Sequence, residues 1–325
     1  MQYQPLASLT VSRLILGGGN FGGIGSAPAF YGQGETEAEA IALMDRAWAA
    51  GINAFDTADA YGGGRSETWI GRWLKAKGSS VRDRIVLTSK VFNPVGPGPD
   101  ERGLSRVHIL RQSDASLTRL GTDRLDLYLM HEWDPDTPID ETLWAFEDLV
   151  RTGKVRHTGA SNVTAEQVAL ALGTSERHGW AQLACVQNSF SMLDLTAERE
   201  LLPLCADRGV AFTAFSPLAG GWLSGKYRQG QPYPNGSRMT LRPEPYAHLP
   251  TDRLFRGLAA LEAAARDRGV AMSTLALAWV LAQPNITAAV IGPRRREHLD
   301  EAIAACEIGL TTEEAAQLAD GFHST

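Results

Sequence analysis

The chain has 325 residues, 44% hydrophobic, 21% charged and 8% aromatic. That balance excludes disorder, collagen and coiled coil and leaves a large core available at this size. The 31 basic and 37 acidic residues give a formal net charge of −6 with no basic tract longer than Arg294-Arg295-Arg296, so neither nucleic acid nor an anionic membrane surface is expected as a partner.

The first apolar strand pattern, 14–16, runs into a Gly-rich segment, 17–35, before helical periodicity begins at 36–50. Strands at 53–56, 85–90 and 125–131 then alternate with helices at 66–77, 105–120 and 139–152. Strands at 155–161, 184–187 and 211–215 follow, with helices at 164–178 and 198–208 and a helical pair at 254–268 and 273–283. The last strand, 288–291, leads into helices at 297–305 and 312–320. Thr164 before Ala-Glu-Gln marks a helix start, and Gly51, Gly121, Gly153 and Gly209 stand just past helix ends. Eight such units predict the α/β class and a closed (β/α)8 barrel, with an open doubly wound sheet as the alternative. The spare length sits in segments 17–35, 93–103 and 221–252 and at the C-terminus, and no linker divides the chain, so residues 1–325 are expected to form one domain. Cys185, Cys205 and Cys306 lack metal-ligand spacing and read as reduced thiols. No targeting segment or apolar stretch of ~18 residues is visible, so a cytoplasmic, non-membrane protein is expected.

Catalytic groups of a barrel stand at the carboxyl ends of its strands. Here those ends carry Asp56 with Tyr61 close behind, then Lys90, His131, Ser161-Asn162, Gln187-Asn188 and Phe215-Ser216, and finally Gly292-Pro293-Arg294-Arg295. Tyrosine is a poor proton donor at neutral pH, but a neighbouring ammonium favours its phenolate. Lys90 can act so on Tyr61, Asp56 can hold Lys90, and His131 can bond a substrate oxygen or relay the proton. This set suits protonation of a carbonyl oxygen while another species attacks the carbon. No activated Ser or Cys is visible, so the attacking species is expected from a cofactor.

The ordered stretches Phe55-Asp56-Thr57-Ala58-Asp59-Ala60-Tyr61-Gly62, Thr88-Ser89-Lys90, Asp126 to His131 with Asp134-Pro135, Gly153 to Arg156, Gly159-Ala160-Ser161-Asn162, Val186-Gln187-Asn188, Phe215 to Leu218, Gly225-Lys226-Tyr227 and Ile291-Gly292 resemble the aldo-keto reductase family along almost the whole chain. The resemblance implies a barrel that binds NADP(H), with NAD(H) as the alternative, and reduces a small-molecule aldehyde or ketone by hydride transfer. It implies Tyr61 as general acid, Lys90 as modulator of its pKa, Asp56 as partner of Lys90, and His131 as the group orienting the carbonyl. Ser161, Asn162 and Gln187 match the family's carboxamide-holding positions. Phe215 matches the stacking position, where the family more often has Tyr or Trp. Ser216, Pro217, Leu218, Gly220, Leu223, Gly225 and Lys226 match its pyrophosphate-covering loop. Ile291, Gly292, Arg294, Arg295 and His298 match its adenosine 2′-phosphate site, with His298 where Gln is common and Ala302 where Asn is common. The two arginines favour NADPH.

Two other readings are open. Some potassium-channel β subunits resemble the same family and use the bound nucleotide as a signal, which would make the chain a nucleotide-sensing regulatory subunit. The run Gly17 to Gly22 fits Gly-x-Gly-x-x-Gly after a strand, which would make it a Rossmann-type dehydrogenase. Gly25, Pro28 and Gly32 intervene before any helix, so a first loop over the active site is the expectation. His131-Glu132 lacks the second His of a zinc-protease motif, and no metal is expected. Phe21, Phe92 and Trp133 are candidate substrate contacts. Sugar aldehydes, pyridoxal, aromatic aldehydes and keto intermediates all suit the sequence, as do monomer and oligomer.

Overall fold

The alternation of strands and helices closes on itself. In the computed structural model, which describes residues 1–98 and 100–323, an antiparallel hairpin of β1 (Tyr3–Leu6) and β2 (Leu9–Ser12) precedes eight barrel strands. These are β3 (Leu14–Gly17), β4 (Ala54–Asp56), β5 (Val86–Val91), β6 (Leu125–Met130), β7 (Val155–Ser161), β8 (Leu183–Ser189), β9 (Ala211–Phe215) and β10 (Ile286–Ile291). Each pairs in parallel with its sequence neighbour, and β10 pairs with β3 to complete the closed barrel. The doubly wound alternative and the Rossmann-type reading are thereby corrected. The Gly-rich run leads to a short 3-10 turn at Pro28–Phe30, and the first helix opens only at Glu37, behind a capping box formed by Thr36 and Glu39. No helix among the described residues is long and apolar enough to cross a membrane.

All eight expected strands and the main helices are present, within a few residues at their ends. The hairpin escaped the sequence reading because its strands are four residues each. Its side chains help to fill the barrel: Leu6, Leu9 and Val11 join Ile15, Ala54, Val86, Leu127, Leu129, Cys185, Ala288 and Val290 in the apolar cluster of the interior. The alternate strand residues, among them Leu16, Phe55, Leu87, Tyr128, Val186 and Phe212, belong to the larger cluster shared with the helices. This two-residue alternation decides which side chains can meet. Asp56 shares the inward parity of Ala54, Lys90 that of Val86, and Gln187 that of Cys185.

Two buried ionic networks lie outside the barrel lumen. Near the start of β6, Arg82 donates from Nε to Thr122, from one terminal nitrogen to Asp126 (2.9 Å) and the Ile85 carbonyl, and from the other to the Arg124 carbonyl. Behind β5, Ser89 Oγ donates to Glu67 at 2.6 Å, and the other Glu67 oxygen accepts from Arg119 Nε at 2.6 Å. Asp59 is buried close to this group, and neither carboxyl oxygen has a partner among the described residues. Desolvation, reinforced by the Glu67 charge, raises its pKa well above the carboxylate range against the opposing pull of Arg119.

Breaking the first network leaves the buried Asp126 only the Leu87 amide and Arg156 at 3.4 Å, so Arg82→Ala is expected to lower stability by about 2–4 kcal/mol, read by urea unfolding. Because Asp59 binds its proton more tightly in the folded chain than in the unfolded one, whose carboxyl titrates near pH ~4, its contribution to stability falls as pH rises above that point. Asp59→Asn keeps the shape without the titration. Thermal unfolding should therefore show the Asn variant gaining on the parent as pH increases.

Candidate active site

Four strand-end side chains meet at the top of the barrel. The β4–β5 register pairs Asp56 with Thr88, which sets Lys90 two residues further along the neighbouring strand. The Lys90 ammonium reaches back to Asp56 Oδ1 at 2.5 Å and to the Thr57 carbonyl at 3.1 Å. Both side chains are almost wholly buried. Desolvation alone would lower the Lys90 pKa, but Asp56 and the Tyr61 phenol outweigh it and the value rises above the ordinary one. The fold therefore favours Lys90 as a cation.

Tyr61 is delivered by a tight turn after β4. Gly62, at φ 58°, passes so close to the first loop that a Cβ there would lie 2.5 Å from the Phe21 carbonyl oxygen, and only glycine fits both constraints. The Gly62 amide donates to the Gly25 carbonyl, and Ser66 Oγ donates to the Gly18 carbonyl, so loop 17–35 and the Tyr61 turn support each other. The phenol oxygen lies 3.4 Å from Lys90 Nζ and 3.2 Å from His131 Nε2. Burial raises the Tyr61 pKa above its ordinary value, and the charge of Lys90 opposes this without reversing it. The simple expectation that Lys90 acidifies the phenol outright needs that amendment: the hydroxyl is kept protonated, and the ammonium lowers the penalty of losing the proton. His131 is neutral, because burial and then Lys90 push its pKa well below 6.5.

The carboxamide-type residues are engaged with this set. Gln187 Nε2 donates to the second Asp56 oxygen at 2.9 Å, and Asn162 Nδ2 donates to the His131 carbonyl at 2.8 Å and to Ser161 Oγ. Phe215 and Ser216 are half-buried at the mouth, where Ser216 Oγ meets the Tyr246 hydroxyl at 3.1 Å. Pro217 and Leu223 are buried, and Leu218 packs against the core. Gly220, Gly221 and Gly225 take left-handed conformations, and a Cβ on Gly220 would meet the Tyr246 ring at 2.4 Å. Ile291 is buried and Gly292 exposed, with Asn20 Nδ2 3.4 Å from where a Gly292 Cβ would stand.

Positive charge collects on this side of the mouth. Arg294 donates from Nε to Glu35 and from Nη1 to the Gly236 carbonyl, each at 2.7 Å, while Arg295 is exposed. His298 is half-buried, its Nδ1 accepting from the Arg294 amide. The Lys226 ammonium is pushed below its ordinary pKa by desolvation and then by Arg294, Arg238 and Arg295. Arg238 itself donates to Asn20 Oδ1, and Arg242 to the Ile24 carbonyl, so segment 221–252 is joined to the first loop.

Of the three aromatic candidates, Phe21 is 1% exposed and packs in the core, whereas Phe92 and Trp133 are half-buried against it. Sequence reading missed Asn93, whose amide nitrogen lies 3.0 Å from His131 Nδ1, and it missed Glu35, Arg238 and Arg242. A signal existed for Asn93, which is three residues beyond Lys90 in a strand-end loop. The arginines sit in a segment without periodicity, where only their charge marks them.

The sequence profile described as the Aldo/keto reductase family matches residues 13–320. The uncharacterized oxidoreductase YrpG of Bacillus subtilis is 39% identical over 99% of this chain and 96% of its own. Versiconal hemiacetal acetate reductase of Aspergillus parasiticus is 32% identical over 99% and 97%, and a probable voltage-gated potassium channel subunit beta of Arabidopsis thaliana is 33% identical over 95% and 92%. With its closed parallel barrel and nearly full-length match, the chain belongs to the aldo/keto reductase family.

Proposed function

We propose that the protein is an NADPH-dependent carbonyl reductase that uses Tyr61 as its general acid. The observation that carries this reading is the phenol oxygen held between the Lys90 ammonium, 3.4 Å away, and a neutral imidazole, 3.2 Å away, at the mouth of the barrel. The donor set also fits a nicotinamide dinucleotide. Lys226, Arg238, Arg294 and Arg295 gather beside a glycine-rich turn with left-handed residues, the chemistry that holds phosphates. When bound, the nicotinamide supplies the hydride that reaches the carbonyl carbon.

The chain's own residues handle the proton. The Tyr61 O–H bond breaks as a new O–H bond forms on the carbonyl oxygen, and the remaining phenolate is stabilised by Lys90. Asp56 and the Thr57 carbonyl fix the ammonium, and Gln187 fixes Asp56, so the stabilising charge needs no reorganisation when the proton leaves. His131 directs the substrate oxygen toward the phenol. Ser161 and Asn162 would stand against the carboxamide and Phe215 against the ring face, where phenylalanine retains the π-surface for stacking. The half-buried Trp133 and Phe92 would meet the substrate. A regulatory subunit, as the relative named as a probable voltage-gated potassium channel subunit beta suggests, is the alternative, and the proton-handling set favours turnover.

Tyr61→Phe removes the proton donor and leaves the phosphate-binding groups intact. Turnover with a panel of aldehydes and ketones should fall about 10²–10⁴-fold while NADPH still binds; unchanged turnover would defeat the proposal. For the cofactor, fluorescence titration should show Arg294→Ala with Arg295→Ala weakening NADPH about 10–100-fold and NADH far less, as expected for charged hydrogen bonds to the 2′-phosphate. Equal weakening of both nucleotides would count against the NADPH preference.

A further inference from the structure

Resting on the carbonyl-reduction reading above, we infer that Asn93 is a positioning residue that fixes the tautomer of His131, so that the imidazole donates from Nε2 and leaves the Tyr61 proton free for the substrate.

The two ring nitrogens of His131 face different partners. Nδ1 lies 3.0 Å from the Asn93 side-chain amide nitrogen, and Nε2 lies 3.2 Å from the Tyr61 hydroxyl. A neutral imidazole carries one N–H, so one nitrogen must accept and the other donate. His131 is held neutral by burial and by Lys90. The Asn93 NH₂ donates, which makes Nδ1 the acceptor and assigns the ring proton to Nε2.

The consequence falls on Tyr61. Its oxygen then receives two donors, the Lys90 ammonium at 3.4 Å and the His131 Nε2–H at 3.2 Å. With no carbonyl bound, both donors are directed at its lone pairs and the phenol's own O–H is left to point at an incoming carbonyl oxygen, to which the same Nε2–H turns once that oxygen arrives. In the other tautomer Nε2 is an acceptor, and the nearest available donor is the Tyr61 hydroxyl itself. The acid would spend its proton on the histidine, and Nδ1–H would face an amide NH₂, donor against donor. A single hydrogen bond from Asn93 thus separates a productive arrangement from a self-consumed one.

The fold makes that bond reliable. Asn93 and His131 leave adjacent strands β5 and β6, and the His131 backbone amide donates to the Val91 carbonyl at 2.9 Å, two residues before Asn93. From the other side, Asn162 Nδ2 donates to the His131 carbonyl at 2.8 Å. The imidazole is therefore pinned through its backbone on both flanks, and Asn93 contacts the one ring atom that decides where the proton sits.

The test is long-range proton–nitrogen NMR on protein labelled with ¹⁵N-histidine, with His131 assigned by its loss in His131→Gln. At about pH 9, above the histidine range, the parent should carry the His131 proton on Nε2. Asn93→Asp places an acceptor beside Nδ1 and should move the proton there, with kcat falling about 10²–10⁴-fold and the NADPH Kd within about twofold. A parent with the proton on Nδ1 overturns the inference without any variant having to fold. So does an Asp variant that keeps the Nε2 proton, or one that changes tautomer with kcat intact. Because the tautomer is read without turnover, these outcomes stay distinct from failure of the reductase reading, which the Tyr61→Phe variant decides.

Discussion

The Lys90–Asp56 ion pair inside the barrel is the constraint on which the rest of the site depends. Two buried charges are expensive to desolvate, and such a pair is tolerated only when its geometry is close and its spare hydrogen-bonding capacity is satisfied. Here Asp56 uses one oxygen for Lys90 and the other for Gln187, while Lys90 adds the Thr57 carbonyl and Tyr61. Gln187 comes from β8, on the far side of the lumen from β4, so the pair is braced across the barrel rather than along one strand. With every other atom of the pair occupied, the contact to Tyr61 is the one through which its charge can act on a ligand.

The strand that carries Lys90 inward carries Ser89 outward, and the two faces of β5 have opposite electrostatic character. Inward, a cation sits beside a phenol; outward, Ser89 bonds Glu67, which Arg119 neutralises, and burial favours the neutral form of Asp59. Had Asp59 kept its charge, it would have stabilised the Lys90 cation and, at the same time, opposed formation of a phenolate at Tyr61. A proton on Asp59 removes that opposition at the phenol. The buried carboxyl thus spares the site a second anion.

Much of this was legible in the sequence, for a definite reason. The strands are short apolar runs bounded by glycines and charged helices, so their order and number follow from periodicity, and Asp56, Lys90 and His131 stand out as polar residues ending apolar runs. Parity within each strand separates Lys90 from Ser89 and Leu127 from Tyr128 by position alone. What could not be read was the partnering. Gln187 resembled a cofactor contact, and its bond to Asp56 depends on barrel closure bringing together residues 131 apart in sequence. The pKa of Tyr61 escaped for a related reason: the neighbouring ammonium is visible in the sequence, whereas the desolvation that outweighs it comes from the whole fold. The hairpin was missed because four-residue strands carry almost no periodic signal.

The length beyond a ~250-residue barrel has a physical use that the strand pattern alone does not suggest. A barrel top presents carboxyl ends of strands and is well suited to holding a proton donor, but it offers little positive charge for phosphates. In this chain that charge comes from outside the strands: Lys226, Arg238 and Arg242 from the long segment after β9, and Arg294 and Arg295 from the turn after β10. Glu35, buried on the first loop, ties Arg294 in place, and its second oxygen has no partner among the described residues. One acid among so many cations orients a guanidinium without cancelling the local charge. In the proposed reading, proton chemistry belongs to the strand ends and anion binding to the loops, and those loops are joined to one another by Arg238 to Asn20, by Arg242 to the Ile24 carbonyl, and by Arg294, which bridges Glu35 and the Gly236 carbonyl at 2.7 Å each.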